Sequence, residues 1–528
     1  MPTLTRRTAL AGATAALAAP RIARAQPSRL LKFVPQSDLT ILDPVWTTAY
    51  VTRNHGLMVF DTLYGIDASY AAQPQMVAGH VVEDDGRRWT LTLREGLRSH
   101  DGERVLARDC VASIRRWGAR DSLGQSVVAV TDELSAPDDR TIRFRLKRPF
   151  PLLPDALGKA GSSICAIMPQ RVADTDPFKQ VTEMVGSGPF RFKADERVPG
   201  SQVVYERNPA YLPREGGAPS FTAGPKIAHF DRVEWHVLPD PATAGAALQA
   251  GEIDWWEVPS VDLLPMLRRD GRLVVEVQER TGYMGCLRMN QLVPPFDNAA
   301  LRRALLGAVS QADYMTAAAG TEPGAWRDGV GVFCPESPMS SDAGLAVLTS
   351  PRDMAQVRRD VAASGYKGER VVMLLPTDLP GLKALRDVGA DMLKQAGLDL
   401  DVQAMDWGTL VQRVAKQDPV AGGGWSLFHT YWSGLDQFNP AVHTYLRGNG
   451  RAANRGWPTS PRLEALRDEW LAAPDVAAQK RIAAEMQIQA FADVPYIPLG
   501  QMMAPAAYRR DLSGVLSGFA LFWNVRRA

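Results

Sequence analysis

MVAGHVVEDDGRRWTLTLREGLRSHDGERVLARDCVASIRRW, residues 76–117, changes its apolar period half-way along. Trp89, Leu91 and Leu93 alternate with Thr90, Thr92 and Arg94, the two-residue period of a half-buried strand, and Asp84-Asp85-Gly86 before them reads as a hairpin turn. After a second turn signal at Asp101-Gly102, Val111, Ile114 and Trp117 take helical spacing behind Ala107 and Asp109. The stretch therefore predicts a hairpin strand, a turn and an amphipathic helix.

Working outward, an apolar strand over 29–34 leads through Leu42-Asp43-Pro44 into a helix-like segment from Thr47 to about Tyr64. A second hairpin lies where Thr141, Arg143 and Arg145 alternate with Ile142, Phe144 and Leu146. Gly186-Ser187-Gly188-Pro189 lacks the Lys-Ser/Thr of a phosphate loop and reads as a turn into a strand. Val233, Trp235 and Val237 precede a helix that Gly251 ends. Beyond Thr281 the pattern becomes a second α/β unit. Asn298 caps a helix bearing Leu301, Leu305, Leu306 and Val309. Strand 371–375, helix 382–395 and strand 398–405 form a unit that implies a parallel pair with a right-handed crossover. Segments 407–417 and 425–431 repeat the scheme, and a helix over 475–493 runs into Pro495-Tyr496-Ile497-Pro498-Leu499.

A chain of 528 residues exceeds what one hydrophobic core serves, so at least two lobes are expected, and a 45% hydrophobic composition can fill them. A formal net charge of +2 gives no electrostatic case for nucleic acid or an anionic membrane surface. Arg6 and Arg7 form a twin-arginine pattern ahead of an alanine-rich run too short to span a bilayer, and Ala23-Arg24-Ala25 reads as a cleavage site. Export with cleavage after Ala25 would leave a slightly acidic periplasmic protein, with no cysteine there for a lipid anchor and no later membrane insertion. Cys110, Cys165, Cys286 and Cys334 are too scattered for a disulfide framework and are expected as buried thiols, with at most one pair.

The wording of residues 76–117, "LREGL", "HDG" and then "A.D...SI.RW", closely resembles the signature of the family 5 extracellular solute-binding proteins, the peptide and nickel receptors of ABC importers. The likeness continues in order through "LDP" (42–44), "DTLY" (61–64), "GSGPFRF" (186–192), "ERNPAY" (206–211), "AGEIDWWE" (250–257), "PPFDN..LRRAL" (294–305), "GY.GE" (365–369) and "PYIPL" (495–499). It implies an α/β, two-lobed periplasmic-binding-protein fold with two crossing segments and an extra subdomain on the first lobe. Residues 29–66, 186–282 and 499–528 would form lobe I, 67–185 the extra subdomain, and 283–498 lobe II, with the chain crossing near Tyr283 to Asn290 and again at the "PYIPL" segment. The implied function is a monomeric receptor that closes over a peptide or similar solute and delivers it to a membrane permease, with no cofactor and no turnover. A nickel chelate or another organic solute is the alternative ligand, and a secreted hydrolase the alternative class.

Catalytic constellations are missing from the sequence: it has no G-x-S-x-G elbow, H-E-x-x-H helix or P-loop. Ser364 to Lys367 matches S-x-x-K only formally, in a turn at a helix end, and His429 with His443 lacks a carboxylate or cysteine at ligand spacing. The stretch that stands out is 423–436, GGWSLFHTYWSGLD, where a glycine-framed strand places Tyr431 and Trp432 before a flexible Ser-Gly and Asp436. The resemblance implies that Asp436 pairs with a ligand's N-terminal amine. Trp46, Trp256, Tyr283 and Trp407 are further ligand-binding candidates, at strand-to-helix junctions, a strand end or the expected crossing.

Overall fold

The computed structural model describes residues 29–528, so Arg6, Arg7 and Ala25 lie outside the described residues. Two sheets organise two lobes. The first runs in the order Leu273–Val277, Pro505–Arg509, Trp255–Trp256, Leu30–Val34, Arg232–His236, Gln202–Arg207 and Phe190–Phe192. Its centre is parallel, because Leu30–Val34 pairs in the same direction with both Arg232–His236 and Trp255–Trp256. The second runs Trp326–Arg327, Ile497–Met502, Tyr283–Met289, Leu427–Ser433, Val371–Pro376 and Leu400–Met405. The strand-helix-strand unit read from the sequence is there: Val371–Pro376 pairs in parallel with Leu400–Met405 around the helix Pro380–Gln395.

Residues 76–117 build one edge strand and its neighbour in a separate four-stranded sheet, ordered Val77–Glu83, Arg88–Leu93, Thr141–Leu146 and Thr131–Ser135, and most of the helix Ala107–Gly118 packed on it. Trp89, Leu91 and Leu93 are buried while the residues between them are half-exposed, as the alternation requires. Asp109 closes the start of the helix by accepting from the Leu106 backbone N–H at 2.8 Å. The glycines of the Gly186-Ser187-Gly188 turn are there for close approach, since a Cβ at Gly186 would stand 2.1 Å from the Val59 carbonyl oxygen.

Both lobe crossings differ in place from the sequence expectation. Tyr283–Met289 is already a strand of the second sheet, so the first crossing is 278–282. Ile497–Met502 also belongs to that sheet, which moves the return to 503–504, beyond the "PYIPL" segment. The reason is mutual pairing: Tyr283 lies opposite Met502 and Met284 opposite Gln501, so the two crossing strands satisfy each other's backbone before the chain leaves the lobe. The Gln501 side chain ties the crossings together, donating to the Thr281 carbonyl at 2.9 Å. The first helix is shorter than expected, Tyr50–Val59, and all ten of its residues are buried. All four cysteines are free and buried. Among the described residues no helix is long and apolar enough to cross a membrane.

Candidate functional site

The lobes meet along a surface that contains two adjoining cavities. One, of about 60 Å³, is walled by Thr47 to Tyr50 of the first lobe and by Trp407, Phe428, Tyr431 and Trp432 of the second. The other, of about 460 Å³, is bounded by Trp46, Arg120 and Phe178 on one side and by Arg447, Arg451 and Arg455 on the other. Thr48 and Arg455 stand in the walls of both.

Local structure explains how these side chains arrive. Trp407 opens the helix Trp407–Arg413, whose start is fixed by the Asp406 carboxylate accepting from the Thr409 backbone N–H, and its own N–H is taken by Asp378 at 2.8 Å. Tyr431 and Trp432 are neighbours on the strand Leu427–Ser433. Tyr431 meets Tyr283 edge to face at 4.8 Å, and Trp432 meets Tyr445 at 5.1 Å. The Tyr431 hydroxyl reaches across to Gln36 of the first lobe at 3.3 Å. Gln36 is itself placed by Glu257, whose buried carboxylate accepts from the Gln36 backbone N–H and from Asn54. Sequence reasoning passed over Glu257. Its signal was an acid directly following two tryptophans at the end of a buried strand.

Of the residues expected to contact a ligand, Trp407, Tyr431 and Trp432 line the smaller cavity and Trp46 lines the larger one. The other three stand elsewhere. Trp256 is 5% exposed and packs in the core of the first lobe with Val34, Leu248 and Leu273, because its strand is sandwiched between Leu30–Val34 and Pro505–Arg509. Tyr283 is half-buried and packs against the Tyr50 and Tyr431 rings, which themselves line the smaller cavity. Asp436 is 3% exposed and lines neither cavity.

Asp436 forms a contact between the lobes instead of an open anion. Its Oδ2 accepts from the Tyr50 hydroxyl at 2.9 Å, and the Ser433 backbone N–H donates to the same Tyr50 oxygen. Its Oδ1 has no hydrogen-bond partner among the described residues and lies against Gly161 of the subdomain, where a Cβ would come within 2.2 Å. Burial pushes the Asp436 carboxyl up to about 6, opposed by the charges of Lys159 and Arg53 and by the Tyr50 hydrogen bond. An acid with a raised pKa favours its protonated form in the fold. Its contribution is therefore fully present below pH 4 and is lost as the pH rises through about 6, at a cost of about 2–3 kcal/mol. Asp436→Asn, which keeps an acceptor for Tyr50, should melt above the wild type at pH 8 and level with it at pH 4. A gap of equal size at both pH values would contradict the assignment.

The two histidines singled out by sequence are sealed in the core. His429 stands 3.4 Å from the Tyr314 hydroxyl and His443 bonds to Val332 and Tyr496, and burial lowers both to about 3, which keeps the rings neutral. Among the described residues no three His, Cys, Asp or Glu side chains gather as metal ligands.

Two residues that sequence reasoning missed shape the larger cavity. Arg288, fully buried in the strand Tyr283–Met289, donates to the carbonyls of Asn454 and Arg455 and also to those of Tyr445 and Pro495. Arg455 takes a left-handed backbone, φ 44°, followed by Gly456 at 69°, and the Arg288 fork fixes this turn, which sets Arg455 in the walls of both cavities. A lone arginine in an otherwise apolar strand was the available signal for Arg288. Arg455, in a loop of small and polar residues, gave none.

A two-lobed α/β scaffold with a cavity at the lobe junction defines a binding protein that encloses its solute. Residues 71–454 match the model of the bacterial extracellular solute-binding proteins, family 5, and the chain belongs to that family. It is 38% identical over 523 residues, 98% of this chain and 97% of the relative, to the probable peptide ABC transporter periplasmic-binding protein y4tO of Sinorhizobium fredii. It is 25% identical to the probable D,D-dipeptide-binding periplasmic protein DdpA of Escherichia coli, over 93% of this chain and 92% of the relative. Among solved structures, the fold is shared with the PBP AgaA of A. tumefaciens R10 in complex with agropinic acid, with a TM-score of 0.78 at 18% identity, covering 94% of this chain and 99% of that one. It is shared likewise with DppA of Helicobacter pylori in complex with the peptide STSA, with a TM-score of 0.77 at 19% identity, covering 94% and 98%.

Proposed function

We propose that this protein is the substrate-binding receptor of a peptide ABC importer, which captures a peptide or similar small solute between its lobes and delivers it, unaltered, to a membrane permease. The observation that carries this reading is the aromatic cavity at the lobe junction, walled by Trp407, Tyr431 and Trp432 on one side and Thr47 to Tyr50 on the other. Near-full-length similarity to a peptide ABC transporter periplasmic-binding protein supports the same reading. The smaller cavity falls well below the ~300–1,000 Å³ of an ordinary ligand site, so entry requires the lobes to part about the crossings at 278–282 and 503–504. Parting them breaks the Tyr50 contacts with Asp436 and Ser433, which reform around the solute. The chain acts as a monomer in the periplasm, sent there by the twin-arginine segment around Arg6 and Arg7 and released after Ala25.

Trp407, Tyr431, Trp432 and Trp46 supply the apolar contact with the ligand. A static aromatic wall with neutral, core-bound histidines suits binding better than hydrolysis. Incubation with a peptide library tests this: recovery of intact bound peptide by mass spectrometry is expected, whereas time-dependent cleavage would sink the receptor reading. Trp407→Ala should weaken the recovered peptide by about 10- to 100-fold in calorimetry without lowering the melting temperature appreciably, since the indole is half-buried at the cavity wall.

A further inference from the structure

Tyr50 stands in the wall of the smaller cavity and at the same time bonds across the lobe junction, to the Asp436 carboxyl and the Ser433 backbone N–H. Gly161 lies against the other Asp436 oxygen. Both covers belong to one side of the junction. Tyr50 opens the buried helix Tyr50–Val59 of the first lobe, and the loop that carries Gly161 is tied to the same lobe where the Ser163 hydroxyl donates to the Thr47 carbonyl at 3.3 Å. Asp436 follows the strand Leu427–Ser433 of the second lobe. Parting the lobes therefore takes both covers away and brings water to the carboxyl.

In the closed arrangement nothing neutralises that group. The charged and titratable groups around it are Tyr50 and Arg53 of the first helix and Lys159 and Asp121 of the subdomain, with Tyr283 of the crossing strand packed on the Tyr50 ring at 6.0 Å. Among the described residues no cation lies within 4.0 Å of the Asp436 carboxylate. Lys159 is paired with Asp121, and the attraction of Arg53 is divided among Asp436, Glu257 and Glu279. Burial holds Tyr50 well above the usual phenol range, so it stays a donor. An ionised Asp436 here keeps one accepted hydrogen bond and loses its water, whereas a carboxylic acid loses far less. Further contacts between the lobes, Tyr431 to Gln36, Thr444 to Ser122 and Arg447 to Gln125, join groups whose charge is constant near neutral pH.

We infer that Asp436, covered by Tyr50 and Gly161, is an acid-favoured latch between the lobes: closure takes up a proton at this carboxyl, so that solute is held more tightly as the surroundings acidify and released as the pH rises. The covered carboxyl sits at about 6, against about 4 for one in water, so the closed form binds more protons than the open form over that interval. Closure is most favoured below pH 4, loses ground as the pH rises through 6, and levels off above it. The latch rests on the receptor reading for the solute that is captured, but the movement of the lobes can be followed without one.

The test uses the full mature chain at pH 5 and pH 7. The probes are tripeptides with uncharged side chains, whose own termini keep their charges over that interval. Calorimetry is expected to show binding about 10-fold tighter at pH 5, with close to one proton taken up per peptide when two buffers of different ionisation enthalpy are compared. Asp436→Asn should bind at both pH values about as tightly as the wild type does at pH 5, with no proton uptake. Nitroxide labels on Val198→Cys and Val476→Cys, exposed positions of the first and second lobes, report the lobe separation with and without peptide, and the four native cysteines are buried. The wild-type proton uptake stands even if the Asn variant fails to fold. Wild-type affinity that is equal at the two pH values, or an Asn variant that keeps the 10-fold change, would overturn the latch and leave the receptor reading in place. Lobes that close on acidification while no tripeptide binds at either pH would support the latch and overturn the peptide reading. Neither closure nor binding would overturn both.

Discussion

Arg288→Met is expected to lower the stability of the protein by about 3–5 kcal/mol and to loosen the turn that carries Arg455. The guanidinium is 0% exposed and lies over the Tyr445 ring at 4.2 Å, and burial lowers it only to about 10, so it is cationic at neutral pH. Its five donor contacts go to four backbone carbonyls, with distances from 2.6 to 3.1 Å. Methionine fills much of the volume but strands those carbonyls without water or donors, and each orphan costs about 1–3 kcal/mol before relaxation. Relaxation has a direction: among the described residues the left-handed turn at Arg455-Gly456 has no other side-chain fork to hold it, so ligand binding should fall as well. Chemical denaturation reads the first effect and calorimetry the second. A variant that is destabilised by less than about 1 kcal/mol, or that binds as the wild type does, would show that the turn is fixed by its neighbours instead.

Lys159→Met should cost a similar amount, about 3–5 kcal/mol, by leaving Asp121 as a buried charge without its cation. Both side chains are 3% exposed, and the ammonium also donates to the Ser162 carbonyl at 2.7 Å. Asp121 must keep accepting from the Leu123 and Gly124 backbone N–H groups, so it cannot turn away to find water. Lys159→Met combined with Asp121→Asn should recover most of the loss, because the amide still caps the helix and no unpaired charge remains. The single variant has a second signature. Lys159 is the largest of the influences that hold Asp436 down against burial, so its removal should move the Asp436 carboxyl further up, and the pH-dependent part of the stability should shift to higher pH. Additive losses in the double variant would contradict the ion-pair account.

How much of this was legible in the chain depended on the range of the interactions. The hairpin, the helix after it, the capping Asn298 and the parallel strand-helix-strand unit follow from periodicity and turn chemistry within about 10–30 residues, and all are found where the sequence placed them. The ordered series of short motifs likewise carried the family without any coordinate. Strand ends are less legible: the expected crossings, Tyr283 to Asn290 and the "PYIPL" segment 495–499, fall on the paired strands Tyr283–Met289 and Ile497–Met502, because nothing local reveals that two segments so far apart in sequence will pair.

By itself, then, the sequence determined the family, the two-lobed α/β class and the region where an aromatic wall would stand, since local period and side-chain type suffice for these. Only the tertiary structure decided what each candidate faces. It buried Trp256 between two strands, closed Asp436 behind a tyrosine 386 positions away, and set Arg455 in the cavity walls on a turn held by an arginine 167 positions away. Burial and partnership are properties of the space around a side chain, and that space is filled by segments whose distance in sequence leaves no periodic trace.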